Sequence, residues 1–417
     1  MSRRMQRLLL FFSPWAITIL VLYLTAIFGP QTGMFRDAKI YMRALEATRA
    51  GHNPYVAGLA LQQSAQAQGD AEKTFAFVYP PYSLLLIRAM ASLPGLLPTC
   101  LYWTLYACGA LAQLWAVLYV LSPDEQRIAR YLLPFCLLFP AFIYSKESIF
   151  GGNIAYILYG ILLPAALLGC RKGNWKWFYL AVLLAACIKP QMLTLLILPL
   201  LVGAPQWQAT ILTGIGSVSL VGLQRFVWPE VYQSWQTALN LQFLRYDREF
   251  GVGVVSILGC DLWRRHLPYQ LPCMILYGLL AGAILTALLV IARYHREEKI
   301  STTDLLPVML TGVIQLNPRI LGNDFFCLTI PLAAILLRFL RQKTGSWKWT
   351  VLCSLAIMFV LNILAIVVAP LPRILAPNGS YYSVTIGAIL GIFALGCWQL
   401  CQQARSAVQP APPQIPK

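Results

Sequence analysis

The chain has 417 residues, of which 59% are hydrophobic and 11% charged. Soluble domains carry about a quarter charged residues, so this composition excludes a water-soluble enzyme and points to an integral membrane protein. Thirty-two Lys and Arg against fifteen Asp and Glu leave a net charge of +17, an excess that in membrane proteins collects in cytoplasmic loops and therefore reports topology, with no nucleic-acid partner called for. Cys108, Cys136, Cys170, Cys187, Cys353 and Cys397 stand singly within apolar runs, with no CxxC pair and no His spacing for zinc, so neither a disulfide framework nor a metal site is expected.

In chain order, MSRRMQR precedes an apolar run of full spanning length without a small-residue cleavage site, which predicts a retained first transmembrane helix. Apolar segments follow near 99–121, 131–146, 153–169, 176–188, 190–203, 209–227, 270–293, 304–316, 325–340, 347–369 and 383–401, so that with 8–28 the chain is predicted to be an all-α polytopic bundle of about twelve spans. The basic clusters Arg3/Arg4/Arg7, Arg127/Arg130, Arg171/Lys172/Lys176, Arg293/Arg296/Lys299, Arg338/Arg341/Lys343/Lys348 and Arg405 then share one side, which makes both termini cytoplasmic. Segment 82–97 is apolar but short, holds Arg88 and runs into Pro94, Gly95 and Pro98; it is read as a helix lying in or re-entering the outer leaflet. The transmembrane domain is thus 1–404, with external loops at 29–98 and 229–268 and a disordered cytoplasmic tail at 405–417 containing PAPPQIPK.

The polar residues of interest sit at the outer ends of these spans. In FRDAKIYMRALEATRAGHNPY, Asp37, Ile40, Tyr41, Ala44 and Leu45 keep helical spacing until GHNPY breaks it, so Asp37 opens an amphipathic helix at the membrane surface. Two readings remain open for it: a charge favoured by the helix N-terminus, or a functional carboxylate beside the returning FVYPPY at 77–82. Lys189 interrupts an apolar run at CIKPQML, where an ionisable group is expensive unless partnered or wetted; with Pro190 breaking the helix, two short helices are predicted to meet there, exposing Lys189 and Gln191 to an external cavity, while simple snorkelling is the alternative. The turns SKESIFGGN, with Glu147 and Asn153, and NPRILGND, with Arg319, Asn323 and Asp324, open on the same face. Four polar turns there suit a lipid phosphate with a polar head group.

The ordered motifs D-x3-Y-x9-GHNPY at 37–55, YPPY at 79–82, KESIFGGN, CIKPQ and NPRILGNDFF resemble those of polytopic GT-C glycosyltransferases, most closely glycosyltransferase family 87. The resemblance implies a GT-C fold, a polyprenyl-phosphate sugar donor with mannose as the sugar, and an essential aspartate in the first external loop, for which Asp37 is the matching position. The residues agree with that chemistry: no Gly-rich phosphate loop, Rossmann unit or DxD motif is present to hold a nucleotide sugar, and no cofactor is called for. Asp37 is then the catalytic base, Lys189 and Arg319 bind the donor phosphate, and Tyr41, Asn53, Tyr55, Tyr79, Glu147, Asn153, Gln191 and Asp324 bind substrate. The partners are the lipid donor, a glycolipid or glycan acceptor and the bilayer, at the external face of a bacterial cytoplasmic membrane. A further expectation makes Arg245, Asp247, Arg248 and Glu249, flanked by Gly251 and Gly253, an acceptor-facing loop. Hydropathy alone would also fit a twelve-span transporter or an O-antigen ligase or polymerase.

Overall fold

The computed structural model describes residues 35–67, 76–123, 151–203, 206–245, 270–317, 322–346 and 383–407, together with isolated positions elsewhere. Three of the predicted spans, 8–28, 131–146 and 347–369, and the residues Glu147, Arg319, Asp247, Arg248 and Glu249 lie outside the described residues. Everything described is helix or connection, with no strand among the described residues.

Three helices build the first polar region: α1 (Arg36–Arg49), α2 (Pro54–Ala67) and α3 (Ser83–Ala91). Helix α1 buries Ala38, Tyr41, Ala44 and Leu45, the stripe that its spacing predicts. Helix α3 has nine residues, about 14 Å, far short of a bilayer. It packs on α1 instead of crossing, and Arg49 ties the two by donating to Ala91 O and Leu93 O at 3.1 and 2.5 Å. The helix found within 82–97 is thus too short to span a bilayer alone.

The bundle proper begins with α4 (Leu97–Val120) and α5 (Ala155–Lys172), the most extensive helix pair. They cross at Gly109 and Gly160, where a Cβ on Gly109 would lie 2.5 Å from Tyr156 O. Backbone meets backbone at this crossing, the close approach that small residues permit in membrane helices. Next come α6 (Lys176–Ala186), a 3₁₀ segment (Pro190–Leu196) with the short α7 (Ile197–Leu201), α8 (Trp207–Val227) and α9 (Pro229–Arg245). Then follow α10 (Gln270–Arg296), α11 (Thr302–Gln315), a 3₁₀ turn (Gly322–Phe325), α12 (Phe326–Thr344) and α13 (Ser383–Ser406). Five of these helices, α4, α5, α8, α10 and α13, are long and apolar enough to cross a membrane among the described residues. Their outer faces are apolar, with Leu212, Val218 and Phe226 on α8 and Leu271, Met274 and Leu279 on α10 each more than 60% exposed, a surface suited to lipid and unsuited to water.

Two differences from the expected elements have clear causes. Segment 190–203 is not a plain α-helix: Pro190 lacks an N–H and forces Lys189 into extended backbone (φ −129°, ψ 91°), and the chain restarts as a tighter 3₁₀ turn. The segment 229–268, expected as an external loop, opens with a 17-residue helix, α9, that packs on α2. Its Pro229 stands at the first helical position, which the ring favours.

The bundle has two polar ends. At one, Arg338 donates to both Glu125 carboxylate oxygens (2.6 and 3.1 Å) and to Asp304 O (3.0 Å), while Gln403 reaches Asp304 Oδ2 at 3.2 Å. Arg171 stacks over Tyr119 at 4.1 Å on this same end. The C-termini of α4, α5, α12 and α13 and the N-terminus of α11 are thereby brought together, with Arg171, Lys172, Arg341, Lys343 and Arg405 in those last turns. Helix α11 starts cleanly there because Ser301 Oγ accepts from Asp304 N at 3.2 Å, a helix cap. At the other end lie Asp37, Asn153, Lys189 and Asp324.

Candidate active site

The chain enters α1 through Phe35 in the left-handed region (φ 56°). No side chain caps the helix; its free N–H groups at Asp37 and Ala38 instead donate to Gly151 O at 3.0 and 3.3 Å. Asp37 does not cap the helix, but it lies in the first turn, where the helix N-terminus favours its charge, and its side chain also faces the turn at Asn153, so the position is compatible with both sequence readings. Gly152 makes the seating possible: at φ +67° a Cβ would be strained, and it would lie 2.8 Å from Ala38 Cβ. Tyr102 secures the same turn by donating its hydroxyl to Gly152 O.

Asp37 Oδ2 accepts from Asn153 Nδ2 at 2.5 Å and from Asn323 Nδ2 at 3.4 Å. Arg36 Nε lies 3.7 Å from its other oxygen. The second face of the Asn153 amide is equally committed, with Oδ1 accepting from Lys189 Nζ at 3.3 Å and from Ala155 N at 2.9 Å. Lys189 completes the line with an ion pair to Asp324 Oδ1 at 3.5 Å. One chain of contacts, Asp37–Asn153–Lys189–Asp324, thus connects the first loop, the start of α5, the α6 apex and the turn before α12.

Exposure separates the two carboxylates. Asp324 is 0% exposed and Lys189 4%, whereas Asp37 retains 14%. Lys189 is thus buried and paired rather than open to an external cavity, a correction that follows from the cost of a lone ammonium in a low-dielectric interior. Of the two carboxylates, Asp37 is the one that solvent reaches.

Tyr41 and Tyr79 close the layer, their hydroxyls 2.7 Å apart, with Tyr41 Oη also accepting from Ile154 N at 3.2 Å. Burial first, then the neighbouring Tyr79, Tyr102 and Asp37, pushes the Tyr41 phenol well above its ordinary range; burial and the Asp37 charge do the same to Tyr79. Both stay protonated and serve as hydrogen-bonding walls, not as bases.

Three sequence-predicted site residues have other duties. Asn53 Oδ1 accepts from Tyr55 N at 3.0 Å, opening α2 ahead of Pro54, and its amide reaches Ser234 Oγ on α9 at 3.2 Å. Tyr55 is fully buried and donates to Tyr79 O at 2.6 Å, which holds the YPPY return in place. Gln191 is partly exposed at the start of the 3₁₀ segment, its carbonyl accepting from Thr194, and its side chain takes no part in this network. Conversely, Tyr102 and Gly152 belong to the site without having been singled out for it, and Asn323, named only as a polar residue of its turn, bonds Asp37 directly. Only the position of Asn323 in the NPRILGND turn signalled its place. No group of His, Cys, Asp and Glu able to hold a metal occurs among the described residues.

A bundle that is all-helical among the described residues, with five helices long and apolar enough to cross a membrane, is the class of a polytopic membrane protein. The model of glycosyltransferase family 87 matches residues 77–318, more than half of the chain, and the protein belongs to this family. It is therefore a membrane glycosyltransferase. The match contains Tyr79, Asn153, Lys189 and Gln191, while Asp37 and Asp324 flank it. No curated protein matches the chain.

Proposed function

We propose that the protein moves a glycosyl group, mannose by its family resemblance, from a polyprenyl-phosphate donor to an acceptor hydroxyl on the external face of a bacterial cytoplasmic membrane. The observation that carries this reading is Asp37: a partly exposed carboxylate, oriented by two amide donors, at the end of the bundle opposite the Glu125–Arg338 clasp and its basic neighbours. Basic clusters mark the cytoplasmic side, which supports an external position for Asp37, where lipid-linked sugars are the activated donors.

In the proposed step the acceptor hydroxyl gives its proton to Asp37 as its oxygen attacks the anomeric carbon. The bond from that carbon to the phosphate oxygen breaks with its electron pair, and lipid phosphate leaves from the opposite face. One displacement inverts the anomeric centre. Asn153 and Asn323 hold the carboxylate in the attacking orientation, and Lys189, fixed by Asp324, keeps Asn153 from turning. Lys189 also contributes positive potential towards the departing phosphate, with Arg319 as its proposed partner from the turn between α11 and α12. The test is incubation of the purified protein with a panel of polyprenyl-phosphate sugars, followed by mass spectrometry of released lipid phosphate. Release from the mannosyl donor alone is expected; no release from any donor would refute the reading.

A further inference from the structure

Helix α1 turns a second polar face away from Asp37. Lys39, Arg43 and Glu46 stand one turn apart along it, all exposed, and none of the three enters an ion pair among the described residues. Between this ridge and α4 lies an open groove of about 410 Å³ whose floor is Met42, Phe35 and Trp103. Phe35 meets Trp103 edge to face at 5.3 Å, so the floor is a fixed aromatic surface. Trp103 sits in the second turn of a membrane-spanning helix that begins at Leu97, about 9 Å along its axis, the depth at which tryptophans line membrane interfaces. Below it α4 presents exposed Ala107 and Leu111 on the stripe beside Trp103, one and two turns further along the helix.

Two unpaired cations over an apolar, aromatic floor match a phosphate that carries an acyl chain, since basic residues at the head-group level attract lipid phosphate and the floor extends down the helix for the chain. Glu46, one turn beyond Arg43, gives the groove a carboxylate at its far end, which matches an ammonium group and repels a wholly anionic head. From this pattern we infer that the α1–α4 groove is a structural site for a phospholipid with a primary-amine head group, phosphatidylethanolamine. Its phosphate is held by Lys39 and Arg43, its ammonium by Glu46 and its acyl chain by Met42 and Trp103. The site is separate from the proposed donor site, because its cations project from the face of α1 remote from the Asp37–Asn153 contact. Bound lipid would clamp α1, and with it Asp37, against α4.

Native mass spectrometry of the full-length purified protein, offered an equimolar mixture of phosphatidylethanolamine, phosphatidylglycerol, phosphatidylcholine and a polyprenyl phosphate, tests the assignment. The amine lipid is expected to be retained preferentially. The double change Lys39→Gln/Arg43→Gln should weaken its retention about thirtyfold, and Glu46→Gln should erase the preference over phosphatidylglycerol. All three residues are exposed and unpaired, so the variants should keep the wild-type thermal midpoint, which separates lost binding from lost folding. Undiminished retention by the double variant would overturn the site. So would retention of no lipid by the wild-type protein, or displacement of the amine lipid by the polyprenyl phosphate, the latter returning the groove to the substrate path. None of these readings depends on sugar transfer being observed.

Discussion

Asp37 and Asp324 are both aspartates within one hydrogen-bonded layer, and their surroundings assign them different work. Asp37 is reachable and bonded by neutral amides, whereas Asp324 is sealed in and matched by Lys189. Asp37→Asn keeps the shape and can still accept from Asn153, so fold and donor binding should survive while turnover falls by a factor of about 10² to 10⁴, read from lipid-phosphate release. Wild-type turnover in that variant would remove Asp37 as the base. The Lys189–Asp324 pair predicts a different kind of defect. Lys189→Met removes the cation paired with a carboxylate that is 0% exposed, and breaking a buried pair from one side costs about 3–5 kcal/mol. Thermal unfolding in detergent should show that loss, and adding Asp324→Leu should recover much of it without restoring turnover. A single Lys189→Met variant as stable as wild type would mean that the pair is not formed. That Lys189 matters was legible in the sequence, because an ammonium in an apolar run demands an explanation. Its partner was not: Asp324 is 135 positions away, and nothing local distinguishes it from the other acidic residues near the outer helix ends.

At the scale of elements, the first loop behaves as a small helical layer fastened to the bundle from two directions. Gly151 receives the N-terminus of α1, and α8 and α9 grip the far side. Trp235 Nε1 donates to Val78 O at 2.8 Å, Asn53 reaches Ser234, and Gln224 Oε1 accepts from Tyr82 N at 2.9 Å. Trp235→Phe keeps most of the packing and deletes one donor to a carbonyl next to Tyr79, which costs about 1–3 kcal/mol where the carbonyl is left unsatisfied. Hydrogen exchange should rise in residues 76–82 in that variant, and unchanged protection there would show that α9 does not hold the return. The helical stripe of α1 and the break at GHNPY could be read from spacing alone. The docking of α9 could not, because its mixed polar and apolar surface shows no strong face until α2 and the YPPY return are present to receive it.

The opposite pole offers a pH test of a different contact. Burial, the largest single influence on Glu125, favours its neutral form, but the paired guanidinium of Arg338 and the Ser122 backbone N–H outweigh it and hold the carboxyl below its usual value. A carboxylate depressed in the folded state stabilises above its unfolded value, near pH 4.3, and that contribution disappears as pH falls through the folded value. Thermal midpoints should therefore drop more steeply below about pH 4.3 in wild type than in Glu125→Gln, which has no such proton to gain; parallel profiles would mean that the clasp contributes nothing.

For the whole molecule, the composition foretold a membrane bundle because apolar faces turned towards lipid need no polar cover. The number of crossings is less readable, since the short elements at 83–91 and 190–201 are apolar without being long enough to span alone. Orientation rests on the two poles. Arg171, Arg338 and the end of α13 share one, Asp37 and the α2–α9 contact the other, and the helix α5 that joins them is 18 residues, about 27 Å. A bilayer core is about 30 Å thick, so the poles should lie on opposite sides of the membrane, with the basic one cytoplasmic. A reporter inserted at Gly173 should accordingly be active in the cytoplasm, and one placed after Ala67 only outside. Both reporters on one side would deny that α5 crosses. The reverse pattern would keep the bundle but put Asp37 in the cytoplasm, where nucleotide sugars are present and the argument for a lipid-phosphate donor loses its footing.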